Sequence, residues 1–238
     1  MLAAAGVTTV PVHARPRVSV FSTGDEVVPP ETATLRPGQV RDATAVALAA
    51  MVTQAGGEPA YRGIVPDDPQ ALETALRSAL TASDLIVISA GSSVGARDET
   101  AGVVRRLGEI WCHGIAIRPG KPTLLAECDG VPVIGLPGNP RSALVVFRLL
   151  GVPLVHLIGG CTAPPPQPSV RARLARDLPS AAGRLDVVQV RVAGGVATPV
   201  FGPSALLSVL TAADGYVIIP DEATGLDAGT EVDVTIYR

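Results

Sequence analysis

Asp84-Leu-Ile-Val-Ile-Ser-Ala-Gly-Ser-Ser-Val-Gly-Ala-Arg-Asp-Glu-Thr100 opens with a continuous apolar run, Leu85 to Ile88, rich in β-branched residues. A short run of this kind between polar ends predicts a strand buried on both faces, as in parallel sheets. Ser89, Gly91, Ser92, Ser93 and Gly95 follow. Small residues let a backbone turn sharply and approach a ligand closely. Their N–H groups and hydroxyls can donate to anionic oxygens. Asp98 and Glu99 then suit the first turn of a helix or a metal ion. Strand, small-residue loop and helix start form the layout of a phosphate site at the carboxyl edge of an open sheet. An ordinary tight turn between strand and helix would use the same residue types.

Outward from this stretch the pattern repeats. Arg17 to Phe21 predicts a strand ending in Ser22-Thr-Gly-Asp-Glu26, a second small-residue loop with two carboxylates. After a Pro-rich loop over 29–40, Asp42 can cap a helix through Val46, Leu48 and Met51 that stops at Gly56-Gly57. Glu58 to Val65 predicts a strand, and Asp68 with Pro69 marks the next helix start. Leu72, Leu76 and Leu80 form that helix's buried stripe. A helix from about Glu99 to Leu107, an extended segment from Glu109 to Ile117 and the basic turn Arg118-Pro-Gly-Lys-Pro122 come next. Thr123 to Glu127 and Val131 to Gly135 read as a hairpin turning at Asp129-Gly130. Leu136-Pro-Gly-Asn-Pro-Arg-Ser142 feeds an apolar helix over 141–158. Arg97 and Arg141, at loop ends, read as solvated.

The alternation predicts an α/β fold: a doubly wound, mostly parallel sheet in three αβα layers, with loops 22–26, 66–68, 91–98 and 136–142 at one edge. Then the composition shifts. Four prolines lie within 161–168, and residues 170–238 show short alternating strands, Val187 to Val192, Tyr216 to Ile219 and Val232 to Tyr237. The expected organisation is a lead-in over 1–16 from an upstream region, an α/β domain over 17–160, a linker over 161–169 and a small all-β barrel domain over 170–238.

Composition narrows the function. The chain is 47% hydrophobic and 17% charged, enough apolar residues for a real core. Aromatics at 3% and a net charge of −3 argue against nucleic-acid partners. The widely spaced Cys112, Cys128 and Cys161 fit a reduced, cytoplasmic protein better than a disulfide scaffold or zinc site. The apolar stretch 143–160 is broken by Arg148, Pro153 and His156, so it reads as a core helix and not a membrane span.

Taken together, Ser22-Thr-Gly-Asp-Glu26, Gly91-Ser-Ser-Val-Gly-Ala-Arg-Asp98, Arg118-Pro-Gly-Lys-Pro122 and Gly135-Leu-Pro-Gly-Asn-Pro140 resemble the ordered signatures of the molybdopterin molybdotransferases, the MoeA/gephyrin E-domain type. The resemblance runs from about residue 2 to the end and covers that family's molybdopterin-binding domain and C-terminal β-domain; the family's usual N-terminal half falls outside it. Relatives often carry Gly-Gly-Val-Ser-Val-Gly where this chain has Ala90-Gly-Ser-Ser-Val-Gly95, and lysine where it has Gly114.

The resemblance implies an enzyme that takes adenylylated molybdopterin and molybdate, cleaves the adenylate with Mg²⁺, and releases molybdenum cofactor and AMP. A non-catalytic molybdopterin-binding module and a molybdopterin adenylyltransferase stand as alternatives. The implied catalytic groups are Glu26, Asp67, Asp98, Arg118, Lys121 and Ser204, with Glu26, Asp67 and Asp98 as Mg²⁺ ligands. Carboxylate oxygens suit that hard cation, and Arg118 and Lys121 suit phosphate. The implied cofactor-binding residues are Thr23, Gly24, Asp42, Gly91, Ser92, Ser93, Gly95, Pro119, Gly120, Pro137, Gly138, Asn139 and Ser142. The expected partners are the pterin and molybdate, with a homodimer or a partner chain supplying the N-terminal region.

Overall fold

The structure, a computed structural model, describes residues 1–89 and 94–237, apart from the side chains of 94–98. In chain order the elements are β1 (Arg17–Thr23), the two-residue strands β2 (Val27–Val28) and β3 (Val40–Arg41), α1 (Ala43–Gln54), β4 (Glu58–Val65), α2 (Pro69–Leu80) and β5 (Leu85–Ser89). They continue with α3 (Val94–Leu107), β6 (Gly108–His113), β7 (Ile117–Arg118), β8 (Leu124–Cys128), β9 (Val131–Leu136), α4 (Pro140–Val146) and α5 (Val152–Ile158). The remainder is β10 (Ser169–Leu174), β11 (Leu178–Pro179), β12 (Leu185–Ala193), β13 (Val196–Pro199), α6 (Ser208–Thr211), β14 (Gly215–Ile219), β15 (Gly225–Leu226) and β16 (Glu231–Ile236).

The first sheet has the order β4-β1-β5-β9-β8-β6. Its first four strands are parallel, and β8 and β6 add an antiparallel edge. The continuous apolar run of β5 serves two cores at once. Leu85 and Val87 point to a core shared with α1, α4 and α5, whereas Ile86 and Ile88 point to one shared with α2 and α3. Side chains alternate across a strand, so only an uninterrupted apolar run can fill both faces. The three-layer expectation is met.

Residues 169–236 form the second sheet, β13-β10-β16-β14-β12, closed by a β13–β12 pairing into a five-stranded barrel. The expected extended segment from Glu109 to Ile117 is divided. β6 stays in the first sheet, the chain turns at Gly114 with φ 97°, and β7 joins the barrel beside β12.

Two helices depart from the sequence reading. α3 begins at Val94, five residues before Glu99, so Gly95 and Asp98 are helical. The apolar helix over 141–158 is interrupted by a π turn, Phe147–Gly151. Pro153 has no N–H for the carbonyl of Leu149, and its ring crowds that carbonyl, so the helix widens ahead of it. Pro140–Ile158 is the one described helix long and apolar enough to cross a membrane. Its Ala143, Val146, Phe147, Val152 and Val155 are buried in the first core.

The Asp84 carboxylate ties the starts of β1 and β5 together. It accepts from Arg17 N at 2.8 Å, Nε at 3.2 Å and Nη2 at 2.9 Å. The guanidinium bond, assisted by the backbone bond and the positive charge, holds the carboxyl below the usual range. A lowered carboxyl contributes stability above its unfolded pKa of about 3.9 and loses it as pH falls through the folded value. Asp84→Asn therefore lowers the urea midpoint at neutral pH, and the difference from wild type vanishes in acid; parallel melts at both pH values check this.

Candidate functional site

Parallel register brings the strand ends together. Ser22 lies beside Ser89, Ser89 beside Leu136, and Thr23 beside Val65. The strands β1, β4, β5 and β9 therefore all end on one edge, where ligands of open α/β sheets bind. A cleft of about 450 Å³ opens there, lined by Thr23, Glu26, Asp42, Gly138 and Asn139 among others. Ala205 and Leu207, from the loop before α6, form its wall on the barrel side. Ser22 also lines it and is 3% exposed, and its hydroxyl has no hydrogen-bond partner among the described residues. Buried hydroxyls are rarely left unmatched, so this one is open to a water or a ligand atom.

Gly24 sits at φ 135° with the Glu26 carboxylate folded against it. A Cβ there would stand 2.6 Å from Glu26 Oε2, so the glycine sets where that carboxylate lies. Asp42 is buried and has both oxygens occupied: Oδ1 caps α1 by accepting from Ala45 N at 3.0 Å, and Oδ2 accepts from the Tyr61 hydroxyl at 2.9 Å. Burial, followed by that bond to Asp42, raises the Tyr61 phenol above its ordinary value. Asp42 thus shapes the cleft wall with a carboxylate already engaged. Arg41 is the single basic residue lining the cleft among the described residues, and its guanidinium donates to the carbonyls of Thr32 and Ala33.

Asp67 lies in an adjoining crevice with Thr23, Glu99 and Thr100, and Thr23 borders both spaces. Its backbone N–H donates to Asp25 Oδ1 at 3.2 Å. Burial raises the Asp67 carboxyl above the usual range; a backbone bond from Asp25 opposes this, and the charges of Asp25 and Glu26 add to it. Carboxylates crowded in this way are relieved by a cation. Among the described residues no set of three metal-ligating side chains is assembled. The third expected ligand, Asp98, has its side chain outside the described residues.

A second cleft, of about 490 Å³, lies between the first sheet's loops and the barrel, lined by Arg118, Pro119, Arg141, Arg184 and Asp186 among others. Asp186 is fully buried and is the hub. It pairs with Arg118, pairs with Arg184 at 3.0 Å, and accepts from Ser180 Oγ at 2.8 Å. Arg118 is half exposed, so its guanidinium still faces the cleft while Asp186 aims it. Arg141, expected to be solvated, instead bridges the halves. Its backbone N–H donates to Ser204 O at 3.1 Å and its Nη1 to Gly202 O at 2.8 Å, while Nε is buried without a partner. Burial lowers the Arg141 guanidinium below its ordinary value.

The sequence-named residues therefore divide. Thr23, Gly24, Glu26, Asp42, Gly138 and Asn139 meet at the sheet-edge cleft, with Asp67 beside it and Pro137 buried in the same loop. Ser142 is buried in the first turn of α4. Arg118 and Pro119 line the second cleft, and Ser204 lines neither, although its carbonyl accepts from the Arg141 backbone N–H. Gly120, at φ 129°, packs against Val146, where a Cβ would come within 2.3 Å of Cγ2. Lys121 is exposed and lines neither cleft. Gly91, Ser92 and Ser93 lie outside the described residues, and of Gly95 only the helical backbone is described. The sequence reading did not single out Ser22, Arg41, Arg184 or Asp186. Ser22 stood inside a quoted motif, but the other three carry no local pattern.

An open α/β sheet whose parallel strands end at one cleft, with acidic groups beside it and a barrel closing one wall, has the ligand-site layout of the open-sheet class. Residues 19–157 match the family described as probable molybdopterin binding domain, and the chain belongs to it. Residues 171–237 match the MoeA C-terminal region, domain IV. The chain is 41% identical over 164 residues to a molybdopterin molybdenumtransferase of Nostoc, covering 67% of this chain and 37% of that protein. It is 30% identical over 250 residues to the Haemophilus influenzae molybdopterin molybdenumtransferase, covering 100% and 60%. A crystal structure of a molybdopterin biosynthesis MoeA protein from Pyrococcus horikoshii superimposes with a TM-score of 0.83 at 39% identity, covering 94% of this chain and 55% of that one. The chain thus spans at most about three fifths of the length of these relatives.

Gly24→Ala forces the Glu26 carboxylate out of its place and strains the backbone, so stability falls by about 1–2 kcal/mol in chemical denaturation. Removing both cationic partners of Asp186 with Arg118→Met and Arg184→Met leaves a buried carboxylate uncompensated, at a cost of about 3–5 kcal/mol. Adding Asp186→Asn to that pair recovers part of the loss in the same measurement.

Proposed function

We propose that this chain forms the substrate-binding part of a molybdopterin molybdotransferase, which inserts molybdate into adenylylated molybdopterin and releases AMP. The observation that carries the reading is Ser22, whose buried hydroxyl, without a hydrogen-bond partner among the described residues, lies in the cleft where four parallel strands end. The names borne by the relatives support it.

On this reading Thr23, Gly24, Gly91, Ser92, Ser93, Gly95, Pro137, Gly138, Asn139 and Ser142 form the cradle for the pterin phosphate, with Asp42 as its wall. Close-set backbone N–H groups and hydroxyls bind such oxygens without a bulky side chain between them. Arg118, held by Asp186, offers a guanidinium to an oxyanion in the second cleft, with Pro119 and Gly120 shaping the turn, Lys121 adding charge nearby and Ser204 bonded to Arg141. Glu26, Asp67 and Asp98 would hold Mg²⁺, which supplies charge neutralisation on the phosphate oxygens when the adenylate bond breaks. The charges of Asp25 and Glu26 beside Asp67 are ones that a cation there would offset. The reading also includes the division into an α/β domain over 17–160 and a barrel domain over 170–238, a cytoplasmic location, and a homodimer or a partner chain that supplies the rest of the enzyme. No nucleic acid or membrane enters it.

The test is Mg²⁺- and molybdate-dependent AMP release from adenylylated molybdopterin. It is run with this chain alone and supplemented with the remaining region of the Haemophilus influenzae enzyme. Asp98→Asn is expected to lower release by on the order of 100-fold or more while pterin binding persists. Tight pterin binding with no release under either condition overturns the enzyme reading and leaves a binding module.

A further inference from the structure

A third cavity, of about 430 Å³, lies between the helix face carrying Leu144, Arg148 and Leu149 and the barrel residues Leu210, Tyr216 and Tyr237, with Met51 of α1 closing one side. It shares Val187 alone with the arginine-lined cleft and no residue with the sheet-edge cleft. Its volume falls within the range of small-molecule sites, and its lining is mostly apolar.

Two buried polar atoms stand at its wall. Arg148 Nε has no hydrogen-bond partner among the described residues, and Tyr237 Oη has only the Gln189 amide beside it, which leaves the phenol proton free to donate. Arg148 lies over the Tyr237 ring at 5.6 Å, and Tyr237 stands 5.6 Å from Tyr216. The aromatic pair thus holds the guanidinium plane in place. No carboxylate pairs with Arg148 among the described residues, and no acidic side chain lines the cavity. Arg148 sits in the π turn that Pro153 induces, a kind of distortion that often accompanies a binding site. Met51, Arg148 and Tyr237 also border a smaller cavity of about 310 Å³, lined by Gln54, His156 and Gln167. The two donors therefore stand between an apolar chamber and a more polar one.

We infer that this cavity binds an apolar-bodied carboxylate, its body among Met51, Leu144, Leu149 and Leu210 and its carboxylate at Arg148 and Tyr237. A carboxylate oxygen can accept from both donors at once, which a cation cannot, and an alcohol forgoes the charge-assisted bond to the guanidinium. The inference stands apart from the molybdotransferase reading, since it uses none of the residues assigned there.

Octanoate is the probe. Isothermal titration of the full chain should show one saturable site that equimolar 1-octanol does not displace. Arg148→Met, which keeps the apolar stem and removes the donors, should weaken octanoate by about tenfold or more. Ala213→Phe leaves Arg148 intact and fills the chamber, so it should abolish binding. Circular dichroism establishes that each variant is folded. No saturable binding, equal displacement by octanol, or undiminished affinity in either folded variant overturns the inference. If Arg148→Met does not fold, Ala213→Phe and the octanol competition decide.

Discussion

The structure depends on the parallel pairing of β4, β1, β5 and β9. Parallel neighbours share a direction, so all four carboxyl ends fall on one edge, and the register sets Ser22, Ser89 and Leu136 in a row. Groups far apart in the chain, Glu26, Asp42 and Asn139, meet at one cleft on that edge. The pairing holds because β5 supplies apolar side chains to both faces, one covered by α1, α4 and α5 and the other by α2 and α3.

The barrel adds a second constraint. It is joined to the sheet by the short strand β7, by the Asp186 hub and by Arg141. Asp186 can be fully buried because two guanidinium groups and the Ser180 hydroxyl surround it. These links bring the loop 202–207 against loop 136–142, so one wall of the sheet-edge cleft belongs to the barrel. The site is a property of both halves together.

Much of this was legible in the residues. The β5 run, the caps at Asp42 and Asp68 with Pro69, and the hairpin at Asp129-Gly130 all rest on local rules, and each appears where those rules place it. The start of α3 was misplaced because Gly95 and its neighbours resemble a loop, although one glycine costs a helix only about 1 kcal/mol. The π turn needed knowledge of the whole 140–158 helix and its packing on two sides. Arg141 looked solvated because nothing near it in sequence announces Gly202 and Ser204 as acceptors.

By itself the sequence determined the elements, the edge at which the ligand loops emerge and the resemblance that the family match sustains, because periodicity, capping and turn chemistry act over a few residues. Tertiary structure alone decided which charges stand together: Arg118 with Asp186, Asp67 beside Asp25 and Glu26, and Arg148 over Tyr237 with no acid to meet it among the described residues. Those pairings span tens of residues and are set by how sheet, helices and barrel pack, and no local pattern encodes that distance.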